Sequence, residues 1–328
     1  MQYAKLGRTG LKVSRLCLGT MNFGATTDER ESFRIMDAAL DAGVSFFDTA
    51  NVYGGQGHRG QTEEIIGRWF AQGGGRREKV VLATKVYGGM EQPLDGPNDT
   101  GGLSAYKIRR HLEASLRRLG TDHVELYQMH HVDRTAPWEE LWEAFEVLVH
   151  QGKIGYVGSS NFAGWHLVEA QAEASKRNFL GLVSEQHKYS LICRLPELEV
   201  LPAAQALGIG VIAWSPLAGG LLGGGAFKPD KGARSDTDGM RQTAQKYRTQ
   251  LESFDGLCRE LGQDMANVAL AWTLVHPAMA APIIGPRTVG QLNGALSVVD
   301  LQLSPETLQQ IDGIFPGPGG AAPQAYAW

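Results

Sequence analysis

The sequence alternates between short apolar runs and amphipathic helical patterns, and this alternation limits the fold more than any other feature. Eight runs are apolar on both faces, and they start near residues 16, 44, 80, 124, 154, 182, 210 and 281. Most successive starts lie about 30 residues apart, which is the length of one strand–helix unit. Strands buried on both faces pair in parallel and carry helices outside the sheet. We therefore expect an α/β fold, a closed (β/α)8 TIM barrel, rather than an open doubly wound sheet.

Glycine marks the ends of several predicted helices. The chain has 42 glycines in 328 residues, nearly double the usual share of about 7%. Four of them stand between a helical pattern and the next apolar run: Gly43, Gly120, Gly152 and Gly208. Helices are predicted over about Asp28 to Ala42, after Ser104 as N-cap, and from about Trp138. Three tryptophans on helical patterns are expected in the core: Trp69, Trp142 and Trp165.

No linker or repeat divides the chain, so residues 1–328 are predicted to form a single domain with three additions to the barrel. Residues 1–14 read as an N-terminal β-hairpin that could close the barrel bottom. Residues 218–240 are Gly-rich and charged, and they are expected to form a long mobile loop at the functional end. The Pro- and Gly-rich tail, residues 315–328, is predicted to lack regular structure.

Composition excludes several classes of function. The 31 Lys and Arg residues and 35 Asp and Glu residues give a net charge of −4. The basic pairs are interleaved with acids, which argues against nucleic acid as a partner. No apolar run approaches the roughly 18 residues of a membrane span, and the first ten residues lack a signal core. The three cysteines are widely spaced, which fits a reducing compartment, the cytoplasm, and argues against a disulfide framework or a Cys-rich zinc site.

Four polar residues follow predicted strands at the end where barrel active sites are built. They are Asp48, Tyr53, Lys85 and His130. Each alone has a structural explanation, such as a helix cap, a loop aromatic, a surface charge or a core histidine. Together they form a coherent proton donor, because Asp48 can neutralise a buried Lys85 whose ammonium favours ionisation of the Tyr53 phenol. A histidine beside that phenol can orient a carbonyl oxygen.

Seven strings, in this order and at these separations, resemble the aldo-keto reductase superfamily: LGTMNFG, FFDTANVYG, LATK, LYQMH, GSSNF, AWSPLAGGLL and PIIGPRT. The resemblance covers about residue 3 to residue 315 and is closest to the bacterial branch similar to potassium-channel beta subunits and aryl-alcohol reductases. It implies a catalytic tetrad of Asp48, Tyr53, Lys85 and His130, with Tyr53 as proton donor. Hydride would pass directly from a reduced nicotinamide to the carbonyl carbon of a small-molecule aldehyde or ketone.

The resemblance also implies the cofactor contacts, with Trp214 stacked on the nicotinamide ring and Arg287 beside the adenosine 2′-phosphate. Arg287 favours NADPH over NADH, and the 218–240 loop becomes a cofactor loop. The full set of implied cofactor-binding residues is Thr20, Met21, Asp48, Ser160, Asn161, Gln186, Trp214, Ser215, Pro216, Leu217, Gly219, Gly285, Arg287 and Gln291. Gly294 and Ala295 replace an acidic residue and an Asn that relatives often carry, so fewer adenine contacts are expected.

Several alternatives stay open. The adjacent His131 competes with His130 for the ligand-facing role. The protein could be a redox-sensing regulatory subunit that binds NADPH and a protein partner with little turnover. Lys85 could instead form a Schiff base, as in a barrel aldolase. The carbonyl substrate and the choice between monomer and homo-oligomer are not predicted, and Tyr326 and Trp328 of the tail could fold over the pocket mouth or fray.

Overall fold

Eight parallel strands close into a barrel in the computed structural model, which describes residues 1–55, 57–91, 93–225 and 237–327. The strand that completes the circle, Met279–Ile284, pairs with both its predecessor in the chain and the first barrel strand. The barrel strands are β3 (Cys17–Gly19), β4 (Phe46–Asp48), β5 (Val81–Val86), β6 (Val124–Met129), β7 (Ile154–Ser160), β8 (Leu182–Lys188), β9 (Gly210–Trp214) and β10 (Met279–Ile284). The predicted (β/α)8 barrel is confirmed.

The N-terminal residues form the predicted hairpin, with β1 (Tyr3–Lys5) antiparallel to β2 (Lys12–Ser14). Leu6 and Val13 are fully buried and join the cluster of apolar side chains inside the barrel, which includes Phe46 and Leu126. A Cβ atom on Gly7, whose φ is +57°, would come within 2.6 Å of the Gly208 carbonyl oxygen. The hairpin backbone therefore lies directly against the barrel, on the side where the strands begin.

Helices surround the barrel and separate its strands along the chain. Ser104 caps one of them by accepting a hydrogen bond from the Lys107 amide, and Gly120 ends it in the left-handed conformation with φ of +63°. Among the described residues, no helix is long and apolar enough to cross a membrane. The helices are α1 (Glu29–Asp41), α2 (Gln61–Phe70), α3 (Ala105–Leu119), α4 (Trp138–His150), α5 (Gly164–Lys176), α6 (Val200–Leu207), α7 (Asp238–Lys246), α8 (Arg248–Glu260), α9 (Met265–Val275), α10 (Val289–Leu296), α11 (Pro305–Ile314) and α12 (Gln324–Ala327).

Two expectations from the sequence are wrong in detail. The tail has regular structure after all, because α12 forms just after Pro323, a residue type that suits the first turn of a helix. Trp165 is not in the core but 54% exposed, since Leu167 and Ala170 on another face of α5 take the buried positions. Trp69 and Trp142 are fully buried as predicted.

The segment predicted as one long loop, residues 218–240, is ordered at both ends. Ala218–Gly223 forms 3-10 turns, and α7 begins at Asp238. Residues 226–236 of the predicted loop lie outside the described residues, as does Trp328 of the tail.

Candidate active site

Four of the barrel strands place an apolar side chain on their inner face and, two residues later, a side chain with a hydrogen-bonding group. Side chains two residues apart point to the same side of a strand, and the residues Phe46, Ala83, Leu126 and Ile212 belong to the inner apolar cluster. Two residues further along each strand, toward its C-terminal end, stand Asp48, Lys85, Gln128 and Trp214. The sequence periodicity thus brings these four side chains to the same end of the barrel.

Lys85 is the centre of the site. Its side chain is fully buried, and Nζ lies 2.5 Å from Asp48 Oδ2, 2.9 Å from the Thr49 carbonyl oxygen and 3.1 Å from the Tyr53 hydroxyl. Burial alone would lower the pKa of Lys85, but the Asp48 carboxylate and the Tyr53 hydroxyl outweigh it and raise that pKa. Lys85 is therefore an ammonium that uses all three of its donors within the site.

Asp48 is held from several sides besides Lys85. Its Oδ1 atom accepts hydrogen bonds from Gln186 Nε2 at 2.7 Å and from Gln128 Nε2 at 3.1 Å. Its carbonyl oxygen accepts from both the amide and the hydroxyl of Thr20. The Asp48 carboxylate is thus paired with Lys85 and hydrogen-bonded, which offsets the free-energy cost of burying it.

His130 and His131 point to different parts of the site. The His130 ring meets the Tyr53 ring edge-on, with centroids 6.0 Å apart. The His131 ring stacks on His130 with centroids 5.3 Å apart and contacts Tyr87. Burial, with a smaller effect from the Lys85 charge, lowers the pKa of His130 to about 2. His130 is therefore a neutral imidazole next to the phenol, able to donate or accept a hydrogen bond without carrying charge.

Polar residues from neighbouring strands continue the site toward β9. Asn161 follows β7 with a left-handed φ of +62°, and its Oδ1 atom accepts a hydrogen bond from Trp214 Nε1 at 3.0 Å. Asn161 Nδ2 donates to Ser160 Oγ and to the His130 carbonyl oxygen. This network fixes the orientation of the Trp214 indole relative to Asn161.

The segment after β9 turns through several left-handed residues in succession. Ser215 and Ala218 have φ of +54° and +50°, and Gly219 and Gly220 follow with +68° and +99°. Left-handed backbone is costly for residues with a Cβ atom and concentrates at functional sites. Within this turn the Ala218 amide donates to the Ser215 carbonyl oxygen, and the Gly219 amide donates to Ser215 Oγ. Pro216 and Leu217 lie within the same segment.

The residues expected at the adenosine end meet at the N-terminus of α10. Thr288 caps α10, and Gln291 Oε1 accepts a hydrogen bond from the Arg287 amide at 2.8 Å. The Gly285 carbonyl oxygen, just after β10, accepts a hydrogen bond from Asn22 Nδ2. Asn22 lies in the loop after β3, next to Met21. Glu31 of α1, which the sequence did not single out, accepts from the Val289 amide at 3.0 Å.

Sequence reasoning missed Gln128 as part of the site. The signal was present, because Gln128 is a polar residue inside the buried run VELYQMH and lies two residues before His130. The carbonyl oxygen of Thr49 was also missed, and no side-chain pattern could have revealed a backbone acceptor. Asn51 and His111 form a further buried contact near the site that the sequence did not suggest.

The sequence is similar to known proteins over most of its length. The family model described as "Aldo/keto reductase family" matches residues 15–315. The chain is 65% identical to "Uncharacterized oxidoreductase YrpG" of Bacillus subtilis (strain 168), over the full length of both chains. It is 35% identical to "Probable voltage-gated potassium channel subunit beta" of Oryza sativa subsp. japonica, covering 96% of each chain. It is 32% identical to "Versiconal hemiacetal acetate reductase" of Aspergillus parasiticus, covering 95% of this chain and 96% of that one.

Proposed function

The chain belongs to the aldo/keto reductase family and is an oxidoreductase, and we propose that it reduces an aldehyde or ketone reversibly to an alcohol with NADPH. The contact between Lys85 Nζ and the Tyr53 hydroxyl at 3.1 Å carries this proposal, because it joins a buried ammonium to a phenol at the mouth of the barrel. We assign Tyr53 as the proton donor, and Asp48, Lys85 and His130 as the residues that support it.

The residues present suit a nicotinamide dinucleotide. Asn161 and Ser215 adopt left-handed φ values at two of the places where the resemblance implies cofactor contact, and backbone strain of this kind favours a functional role. The indole of Trp214, held by Asn161, offers a flat surface for the nicotinamide ring. The turn from Ser215 to Gly220, with its left-handed residues, follows the indole, and we assign this segment to the pyrophosphate. NADPH, when bound, supplies the hydride.

The chain's own residues supply the proton and its control. Since Lys85 donates to the Tyr53 oxygen, the phenol keeps its own proton for transfer to the carbonyl oxygen of the substrate. The positive charge of Lys85 then stabilises the phenolate that remains, and Asp48 keeps that charge in place. His130, being neutral, can donate a hydrogen bond to the carbonyl oxygen without competing as an acid.

The same geometry opposes a Schiff-base role for Lys85. A nucleophilic lysine must lose its proton, whereas Asp48 and Tyr53 raise the pKa of Lys85 against the effect of burial. Its three donors are also directed at Asp48, Thr49 and Tyr53. Borohydride trapping of a carbonyl compound on Lys85 would contradict this view.

A regulatory role is the second candidate, and the name of the rice relative, a potassium channel subunit beta, is the observation that favours it. In that case the protein would bind NADPH and a protein partner with little turnover. For either role we propose a cytoplasmic location, since Cys17, Cys193 and Cys258 are all free thiols.

A cofactor-oxidation screen tests the proposed function. Purified protein is mixed with NADPH, or with NADH in parallel, and with aliphatic, aromatic, sugar and steroid carbonyl compounds, and the alcohol product is identified. Repeated turnover with at least one carbonyl, faster with NADPH, is the expected result. Tight NADPH binding without turnover on any carbonyl, together with capture of a protein partner, would favour the regulatory role.

A further inference from the structure

We propose that His111, on α3, is a positioning residue that holds the Tyr53-bearing segment in place through Asn51; this rests on the proposed function of Tyr53. Asn51 Nδ2 lies 3.0 Å from His111 Nδ1. Asn51 is fully buried and His111 is 3% exposed. An amide nitrogen can only donate, so His111 accepts at Nδ1 and carries its proton on Nε2.

Asn51 lies midway along the segment that the reaction depends on. This catalytic segment, Asp48 to Tyr53, begins at the carboxylate that pairs with Lys85 and ends at the phenol. Lys85 holds its start through the Thr49 carbonyl oxygen, and α2 holds its end, because the Gly60 amide donates to the Tyr53 carbonyl oxygen at 3.0 Å. The side chain of Asn51 adds an anchor between these two ends.

The anchor is attached to a fixed support. α3 packs its apolar side chains Ile108, Leu112, Leu116 and Leu119 in the core. A side chain on a helix packed in this way holds its hydrogen-bond partner at a fixed position relative to the core.

Burying the Asn51 side chain also costs free energy of folding. Its Oδ1 atom is buried and has no hydrogen-bond partner among the residues that the structure describes. A buried polar atom without a partner is destabilising. We infer that Asn51 is kept for the bond that its Nδ2 atom makes to His111, which sets where the segment lies.

The consequence concerns rate rather than cofactor binding. Tyr53 must keep its hydroxyl near Lys85 and near the reacting oxygen, and a displacement of about 1 Å can slow a reaction roughly 100-fold. Loss of the His111 contact should therefore slow the chemical step. NADPH affinity should stay the same, because His111 and Asn51 are not among the residues assigned to the cofactor.

Two His111 variants and a matched control test the proposal. His111→Leu fills much of the same space but removes the acceptor, whereas His111→Asn places an acceptor near the position of Nδ1. Tyr127→Phe removes a different buried hydrogen bond to α3 that is not directed at the catalytic segment. Asn51→Ala removes the donor from the other side and serves if His111→Leu fails to fold.

The readouts are single-turnover NADPH oxidation with a carbonyl that the wild type reduces, the NADPH Kd, and hydrogen–deuterium exchange of the 48–53 amides. His111→Leu is expected to be slower by about 10- to 100-fold with an NADPH Kd within about twofold. Exchange at residues 48–53 should be faster. His111→Asn and Tyr127→Phe should stay within about threefold of the wild-type rate.

Equal rates for His111→Leu and the wild type, or an equal loss in Tyr127→Phe, would overturn the positioning role. If the wild type reduces no carbonyl at all, the proposed function fails, and the exchange measurement still decides the present proposal. Unchanged exchange at residues 48–53 in His111→Leu would then refute it.

Discussion

At the scale of single residues, the site works by fixing the charge of each group before a substrate arrives. Lys85 is kept charged by Asp48 and Tyr53 in spite of its burial, and His130 is kept neutral chiefly by burial. A charged side chain, Lys85, and a neutral one, His130, thus both contact Tyr53. In the mechanism that we propose, Lys85 supplies positive charge and His130 supplies a hydrogen bond from a neutral ring.

The His130 pKa predicts how stability depends on pH. Its folded value of about 2 lies below the unfolded value of about 6.5. Between these values the unfolded chain binds the proton, so the stabilisation is complete above pH 6.5 and is lost as the pH falls. We expect His130→Gln to flatten the decline of the unfolding free energy below pH 6 by up to about 1.4 kcal/mol per pH unit.

Urea denaturation of the wild type and of His130→Gln between pH 7 and pH 4.5 measures this difference. His58→Gln is a suitable control, because His58 is an exposed histidine. Parallel pH profiles for the wild type and His130→Gln would contradict a neutral, buried His130.

Sequence predicted the four catalytic candidates but not Gln128, Asn51 or His111, which lie around them. Asp48, Lys85 and His130 could be found because they end apolar runs, where a polar side chain stands out. Asn51 and His111 could not, since they lie 60 residues apart in the chain and meet only when α3 packs against β5. Contacts of this kind depend on packing between elements, which periodicity does not encode.

At the scale of elements, α10 predicts the preference between the two cofactors. Its N-terminus carries Arg287 and a dipole that favours negative charge. We expect Arg287→Ala to weaken NADPH binding about 10- to 100-fold and NADH binding much less, because only NADPH carries the 2′-phosphate.

Fluorescence titration of both cofactors, with Arg117→Ala as a control for loss of an exposed arginine, checks this prediction. Equal losses of affinity for NADPH and NADH in Arg287→Ala would show that Arg287 does not contact the 2′-phosphate.

Glu31 places a negative charge at the N-terminus of α10, close to the proposed position of the 2′-phosphate. Its Oε1 atom accepts from the Val289 amide in the first turn of α10, and Arg34 pairs with its Oε2 atom. A carboxylate there should repel a 2′-phosphate, and Glu31→Gln keeps an acceptor while it removes the charge. NADPH should bind about two- to fivefold more tightly to Glu31→Gln, with NADH little changed. Weaker NADPH binding in the same titration would show that the carboxylate does not oppose the phosphate.

Element types were largely predictable, but their ends were less so. Ser104 and Gly120 set the bounds of α3 as local capping rules require. The short helix α12 was missed because a tail rich in Pro and Gly favours irregular structure. Residues Gln324–Ala327 nevertheless form a single helical turn after Pro323. Trp165 was misplaced because helical periodicity alone does not say which face of α5 meets the barrel.

At the scale of the whole molecule, stability and chemistry occupy opposite ends of the barrel. Leu6 is buried at the end that the hairpin closes, away from the strand ends that carry Lys85 and Tyr53. Leu6→Ala should lower the unfolding free energy by about 2 to 5 kcal/mol, the range found for buried Leu-to-Ala changes. NADPH affinity at a temperature where the variant is folded should not change.

Leu195, which is 72% exposed, provides the matched Leu-to-Ala control, with an expected change within about 0.5 kcal/mol. Urea denaturation compares the three proteins. A loss of NADPH affinity in folded Leu6→Ala would show that the two ends are coupled.

The central claim is that Tyr53 donates the proton, and single turnover of Tyr53→Phe tests it most directly. The variant keeps the ring and removes only the hydroxyl that Lys85 contacts at 3.1 Å. We expect NADPH to bind within about twofold of the wild-type Kd while NADPH oxidation by a carbonyl substrate slows by about 100- to 10,000-fold. A Tyr53→Phe protein that reduces the same carbonyl at the wild-type rate would contradict the account.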